Sequence, residues 1–476
     1  MINSKAMLAR RIGLYGATAI VVGSMIGSGI FRSPAGIASH VPDAKWMLAV
    51  WLIGGLVALC GALTLAELGS GTPETGGVYV YIRDNWGRLA GFLFGWAELV
   101  LIRPASTGAL AMTCAEYAAR TIRAFSVDGT QDAAGLATSA DHIVMVRWIA
   151  ILAVVITITI NVIGARTGAR VQSVLTSAKV GALLFIIGAA FATLLTGKDT
   201  SVPTTALASA GPMASMSVAG MGLALVSVLW VYDGWADLSF VSGEVVQPKR
   251  TLPRALVGGT ILVIGLYLLA NLAYLTVLSV GEIAQSPLVA AEVADRIFGP
   301  WGVLFVGITV AVSTFGTLAA SMLTGPRILW ATAHDGLLFA PLAKVSTRTA
   351  APVTAIVVTG VLGILFILVG TFERLADAFV TSILPFYAMA VAAIFVVRRA
   401  EKGGTAFVTP SFRVPGYPVT PLIFIAGVVL LLGNALVDAR SRGPTLFVFG
   451  IILVGIPIYL LRLKKGVRST DMEPQA

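Results

Sequence analysis

Two glycine-marked stretches, GSMIGSGIFRSP over Gly23 to Pro34 and WVYDGW over Trp230 to Trp235, place helix breakers inside otherwise apolar runs. An unwound turn frees backbone N–H and C=O groups, which in hydrocarbon persist only where protein or an internal cavity satisfies them. A half-helix beginning near Ser28 to Ile30 presents unpaired N–H groups and the positive end of its dipole, which suits a carboxylate. A half-helix ending near Trp230 to Asp233 presents unpaired carbonyls, which suit an ammonium. One class of molecule carries both groups on a single carbon, the α-amino acids. GSMIG also reads as a small-residue packing face, with Gly23 and Gly27 admitting a neighbouring helix. The second break weighs toward binding, because corresponding interruptions in two halves of a chain point to a transporter site.

Groups for covalent chemistry are missing. The sequence has no HExxH, CxxC, GxGxxG or GxxxxGK[ST]. The three histidines, His40, His142 and His334, fall at loop positions, and the two cysteines, Cys60 and Cys114, lie in apolar spans with no disulfide or metal-ligand spacing. An intramembrane hydrolase needs a nucleophile with its base, or a metal cluster. The expectation is a protein that is not an enzyme and uses no cofactor or metal.

The elements that position the breaks follow from composition. The 476 residues are 57% hydrophobic and 12% charged, with mean hydropathy +0.90, the profile of an integral membrane protein. About twelve runs reach the roughly 20 apolar residues that span hydrocarbon: 12–38, 46–68, 89–119, 144–164, 171–196, 217–241, 254–278, 301–333, 352–371, 375–397, 420–437 and 444–463. The longest gap, Arg120 to Asp141, is far below domain size. The opening MINSKAMLARRIGLYG runs on past Gly29 without an A-x-A-like cleavage site and reads as an uncleaved first span. With twelve spans, the tails and even-numbered loops carry 21 of the 33 Lys and Arg and the opposite loops 10, Arg103 and Lys179 lying within spans. That excess puts both termini in the cytoplasm. Basic loops facing anionic lipid also account for the net charge of +10, so no nucleic-acid partner is expected.

GSMIGSGIF in span one, PETGGVYVYI after span two, RPASTGALAMTCAEY in span three, WVYDGWADLSFVSGEVVQPKRTLPRA across span six, and STFGTLAASMLTGPRILWATAHDG in span eight together resemble the L-type amino acid transporter family of the amino acid-polyamine-organocation superfamily. The resemblance runs in order from about Ile12 to Val397. It implies an all-α, twelve-helix membrane protein of the leucine-transporter type with broken helices 1 and 6. Residues 12–196 and 217–397 would be inverted repeats of five spans, 420–463 would hold spans 11 and 12, and 1–11 and 464–476 would be cytoplasmic tails. It also implies sodium-independent exchange of amino acids, and the small residues near Ser28, Ala105, Ser106 and Gly316 point to a neutral side chain. By motif position the substrate carboxylate meets the backbone around Ser28 and Gly29, and the amine meets carbonyls of Ile26, Trp230, Val231 and Asp233. Trp230 falls where the family closes an aromatic gate from outside, although an aromatic packed between helices fits the same position. The cysteine that family members paired with a glycoprotein heavy chain carry between spans three and four is absent from Arg120 to Asp141. A protein working without a heavy subunit, in a bacterial inner membrane, is therefore expected. The family's two acidic residues after span six are here Gly243 and Glu244, which puts the cytoplasmic ion pairing of that segment in question.

Ionisable residues inside spans are costly and mark functional positions. Lys179, eight residues from Val171, would have to snorkel past about 12 Å of helix. The alternative, which the resemblance supports, seats its ammonium between the break in span one and span eight near Ser313, where related carriers hold sodium, with a proton role also open. Asp233 could cap the following half-helix or attract the substrate amine. Arg103, Glu98 and Glu116 read as buried pairs or packing elements. Glu67, Glu74 and Arg327 near span ends read as gate-closing ion pairs or as solvated charges. The combined expectation is an amino acid exchanger working by alternating access. Its rivals are a proton-coupled symporter or an amine or polyamine antiporter of the same fold, and, outside transport, a membrane amino acid sensor.

Overall fold

The computed structural model describes residues 10–126, 140–196, 218–286, 288–404 and 409–470. They form helices, with one isolated parallel bridge, Ile12 to Val245, and no other β-pairing among the described residues. In chain order the helices are α1 (Leu14–Met25), α2 (Gly29–His40), α3 (Ala44–Gly71), α4 (Val78–Trp86), α5 (Arg88–Ala97) and α6 (Arg103–Ser126). There follow α7 (Ala140–Ile163), α8 (Ala165–Thr196), α9 (Val218–Val231), α10 (Asp237–Phe240), α11 (Pro248–Val277), α12 (Val280–Gln285) and α13 (Val289–Phe298). The chain ends with α14 (Pro300–His334), α15 (Val353–Val369), α16 (Phe372–Lys402), α17 (Val419–Val437) and α18 (Ala439–Thr470).

Ten helical segments among the described residues are long and apolar enough to cross a membrane, α1 with α2 and α5 with α6 each counting as one, and two shorter apolar helices, 220–231 and 353–369, accompany them. Large apolar side chains point outward, including Trp148 on α7, Leu430 and Val437 on α17 and Phe447 on α18. The buried interior meanwhile holds Lys179, Glu98, Arg103, Glu244 and Arg327. Apolar outside and charged inside is the reverse of a protein solvated by water, and it suits hydrocarbon as the surrounding medium.

Local chemistry sets several helix starts. The Asp43 carboxylate accepts from the N–H groups of Lys45 (2.9 Å) and Trp46 (3.1 Å) at the start of α3. Ser279 and Glu282 form a reciprocal capping box on α12. In the middle of the bundle α1 packs on α8, α11 and α14, while α9 packs on α2 and α3. The two broken elements therefore sit inside the remaining helices.

Several features depart from the expected layout. Between α5 and α6 the helix widens into a π-helical turn over Glu98–Ile102. Among the described residues, α4, α10, α12 and α13 lie outside the long apolar helices and have no long apolar run of their own. His40 and His334 occupy the last turns of α2 and α14 and His142 the first turn of α7, rather than loops, because the helices run past their apolar stretches. Most of the cysteine-free loop after span three, together with the ends of both tails, lies outside the described residues.

Candidate functional site

Both breaks exist and they meet. α1 stops at Met25, Ile26 turns extended (φ −78°, ψ 91°), and α2 starts at Gly29 with no side chain capping it at Ser28. The facing element leaves α9 at Val231 and resumes at Asp237 after a turn through Gly234 (φ 102°). Two glycines permit the approach. A Cβ on Gly29 would lie 2.7 Å from Val231 Cγ1, and one on Gly234 would lie 2.7 Å from the carbonyl carbon of Ser24. Tyr267 of α11 joins the two from behind, its hydroxyl donating to the Met25 carbonyl at 2.7 Å and lying 3.4 Å from that of Val231.

Between the breaks is a cavity of about 60 Å³. Its wall includes Ser28 and Gly29 from the start of α2, Trp230, Val231, Asp233 and Gly234 from the second break, and Arg103, Ser106, Asp237, Ser321 and Phe379 from the helices around them. Five of the six residues expected to bind substrate thus share one wall. Trp230 packs edge-on against Phe379 of α16, ring centroids 5.6 Å apart, and lines the cavity as well. Ile26 is absent from the wall, because its carbonyl turns away toward α8.

That carbonyl belongs to the Lys179 cluster. The buried Lys179 Nζ donates to the carbonyls of Ile26 (2.6 Å), Gly23 (2.7 Å) and Ser313 (3.2 Å) and to Thr317 Oγ1 (3.2 Å). Ser313 Oγ donates to Ile26 or Gly27 at 3.2 and 3.3 Å, and Thr317 Oγ1 lies 3.0 Å from the Ile26 carbonyl. Snorkelling is thereby replaced: the ammonium satisfies carbonyls that the unwinding of α1 released, and it fastens that break to α14. Oxygens converging on one cation are also what a hard metal ion would meet.

A second polar network was not visible as a unit in the sequence. Arg103, freed by the π-helical turn, donates from Nε to Glu98 Oε2 at 2.8 Å and from Nη1 to Ser321 Oγ at 3.1 Å, and its guanidinium lies over the Phe240 ring. Asp237 Oδ2 accepts from Ser24 Oγ (3.0 Å) and Thr324 Oγ1 (3.2 Å). Arg103 and Glu98 are a buried pair, as expected, yet Arg103 also reaches the cavity wall beside Asp237. One signal could have marked Asp237: an acid in an apolar span, four residues beyond Asp233. Among the described residues no cluster of His, Cys, Asp and Glu could hold a metal ion.

At the end of the bundle near Ile12 charges meet in ion pairs, buried at Glu244 and Arg327 and largely exposed at Glu74. Glu244 Oε1 accepts from Arg327 Nε at 2.9 Å with both side chains buried, and its backbone carbonyl accepts from the N–H groups of Arg11 and Ile12. A single carboxylate thus maintains the ion pairing in question. Asp335, at the end of α14, receives Tyr79 Oη at 2.6 Å and the Arg83 guanidinium. Arg83 also lies 3.6 Å from Glu74. Glu67 takes a two-pronged bond from Arg398 (2.6 and 3.0 Å). In the second half of α6, Glu116 pairs with Arg120 one turn later, at 2.6 Å, and both side chains stay partly exposed rather than buried.

The chain is similar to known amino acid transporters. The chain is 32% identical over 456 residues to the serine/threonine exchanger SteT of Bacillus subtilis, covering 95% of this chain and 96% of that one. It is 30% identical to the b(0,+)-type amino acid transporter 1 of Mus musculus, covering 95% and 88%. Against the Asc-type amino acid transporter 1 of the same animal it is 29% identical, covering 96% and 82%. A family model described as amino acid permease matches residues 12–457, and the chain belongs to that family, within the amino acid-polyamine-organocation superfamily.

Proposed function

We propose that the protein exchanges neutral L-amino acids across a bacterial plasma membrane by alternating access, independently of sodium. The observation that carries the reading is the cavity between two facing helix breaks, Met25 to Gly29 and Val231 to Asp237, with backbone and side-chain polar groups in its wall. A zwitterion there sets its carboxylate on the uncapped start of α2 at Ser28 and Gly29. Its amine meets the end of α9 at Trp230, Val231 and Asp233, with the Ile26 carbonyl occupied by Lys179. Lys179 takes the place of a coupling cation, so substrate moves without one. The relatives support the reading, since the names of all three describe amino acid exchangers or transporters.

In this reading twelve helices form two inverted repeats, residues 12–196 and 217–397, with 420–463 peripheral and tails 1–11 and 464–476 in the cytoplasm. The end that carries Glu244, Arg327 and Asp335 is then cytoplasmic. Trp230 closes the opposite side over bound substrate, and rocking of the bundle opens the inner end. No heavy subunit takes part.

Purified protein in liposomes tests this by uptake of labelled neutral amino acids, with and without unlabelled amino acid inside, in the absence of sodium and pH gradients. Uptake confined to loaded vesicles is expected. Uptake into empty vesicles driven only by an imposed proton gradient would replace exchange by proton coupling.

A further inference from the structure

The Arg103 side chain is almost wholly buried, and two of its three nitrogens are occupied, Nε by Glu98 and Nη1 by Ser321. Nη2 has no hydrogen-bond partner. Its nearest acid oxygen, Asp237 Oδ1, is 3.9 Å away, beyond hydrogen-bond reach. The other oxygen of Asp237 already accepts from Ser24 and Thr324, so Oδ1 is the acceptor left over. Both residues line the cavity between the helix breaks. The arrangement is built rather than incidental: a Cβ on Gly325 would lie 2.4 Å from Arg103 Cδ, so the guanidinium occupies room that only glycine leaves.

A free donor and a free acceptor at this separation ask for one group that is both. A hydroxyl fits: its oxygen can lie about 2.8 Å from each atom, accepting from Nη2 and donating to Oδ1. The cavity is small, about 60 Å³, which favours a short side chain over a long or aromatic one.

Resting on the exchanger reading, the geometry points to Arg103 and Asp237 as the specificity-determining pair for a small amino acid with a side-chain hydroxyl. Glu98, behind Arg103, is a positioning residue that keeps Nη2 turned to the cavity. An apolar isostere in the same place leaves both buried groups unpaired, and rejection by unpaired buried groups is strong.

The test is counterflow in loaded proteoliposomes with two pairs of equal shape, L-serine against L-2-aminobutyrate and L-threonine against L-valine. The wild type is expected to prefer each hydroxylated member at least tenfold, and Asp237→Asn and Arg103→Lys to bring the ratio down several-fold. Counterflow of serine and 2-aminobutyrate at equal efficiency would overturn the assignment while leaving the exchanger reading intact, and would reduce the gap to a site for ordered water. Absence of counterflow with every amino acid would overturn both. The wild-type ratios decide even where a variant fails to fold.

Discussion

Replacing Lys179 by methionine keeps the length of the side chain and removes its ammonium. Two short bonds disappear, to Ile26 (2.6 Å) and Gly23 (2.7 Å), together with longer ones to Ser313 and Thr317. Bonds from a charged donor contribute about 1.5–3 kcal/mol each, so the two short ones amount to roughly 3–6 kcal/mol. Against that, methionine escapes the desolvation cost of a buried ammonium, and the Thr317 hydroxyl remains 3.0 Å from Ile26 and 3.2 Å from Gly23. A net penalty on the order of 3 kcal/mol remains, which at 1.4 kcal/mol per tenfold is about a hundredfold. Those carbonyls are the end of α1, so the penalty falls on the arrangement of the break, and apparent affinity drops by the fraction of molecules that keep it. The expected outcome is a half-saturation for counterflow raised by up to about a hundredfold, in protein that still elutes as a monodisperse peak in detergent. A half-saturation within about threefold of wild type would refute the claim that the ammonium organises the break. The shorter Lys179→Ala adds an independent readout. It vacates the cluster of oxygens, and sodium should then stimulate transport, with no such stimulation expected in the wild type.

Gly29→Ala sets a Cβ 2.7 Å from Val231 Cγ1; uptake should fall by more than tenfold and recover in part with Val231→Ala, and an unaffected single variant would refute the close approach. Arg327→Met leaves the buried Glu244 carboxylate unpaired, which typically costs about 3–5 kcal/mol. The thermal unfolding midpoint should drop and be restored by the double change with Glu244→Met. Outside the spans, the hydrogen bond from Arg296 and that from Ser279 hold Glu282 at about 2, below its usual 4.5. A depressed carboxylate stabilises above its unfolded pKa and loses that stabilisation as pH falls through the folded one. Hydrogen exchange over α12 and α13 should therefore be flat from pH 7 to 5, after correction for intrinsic rates, and show lost protection between 4.5 and about 2. Faster corrected exchange already at pH 6 would contradict it.

Legibility in the sequence followed the range of the interactions. Apolar runs are local, so the long spans could be read from composition, and α3 lies where 46–68 was expected. Short helices with polar flanks, α4, α12 and α13, lack a run of that length and went unseen. Glycines next to polar residues inside an apolar run are a local signal, which made Gly27 to Gly29 and Tyr232 to Gly234 visible. A lysine eight residues into a span was visible as an anomaly, but its partners were anticipated only through the resemblance.

By itself, the sequence determined a membrane protein of many helices with two interruptions suited to a zwitterion, because hydropathy and glycine act residue by residue. Only the tertiary structure decided which backbone groups the interruptions present. Ile26, adjacent in the chain to the cavity residues, turns its carbonyl to Lys179, while Arg103 and Asp237, on different helices, become neighbours across the cavity. Those outcomes depend on helix rotation and on a π-helical turn at Glu98–Ile102. Both are set by how neighbouring helices pack, and no local run of residues encodes them.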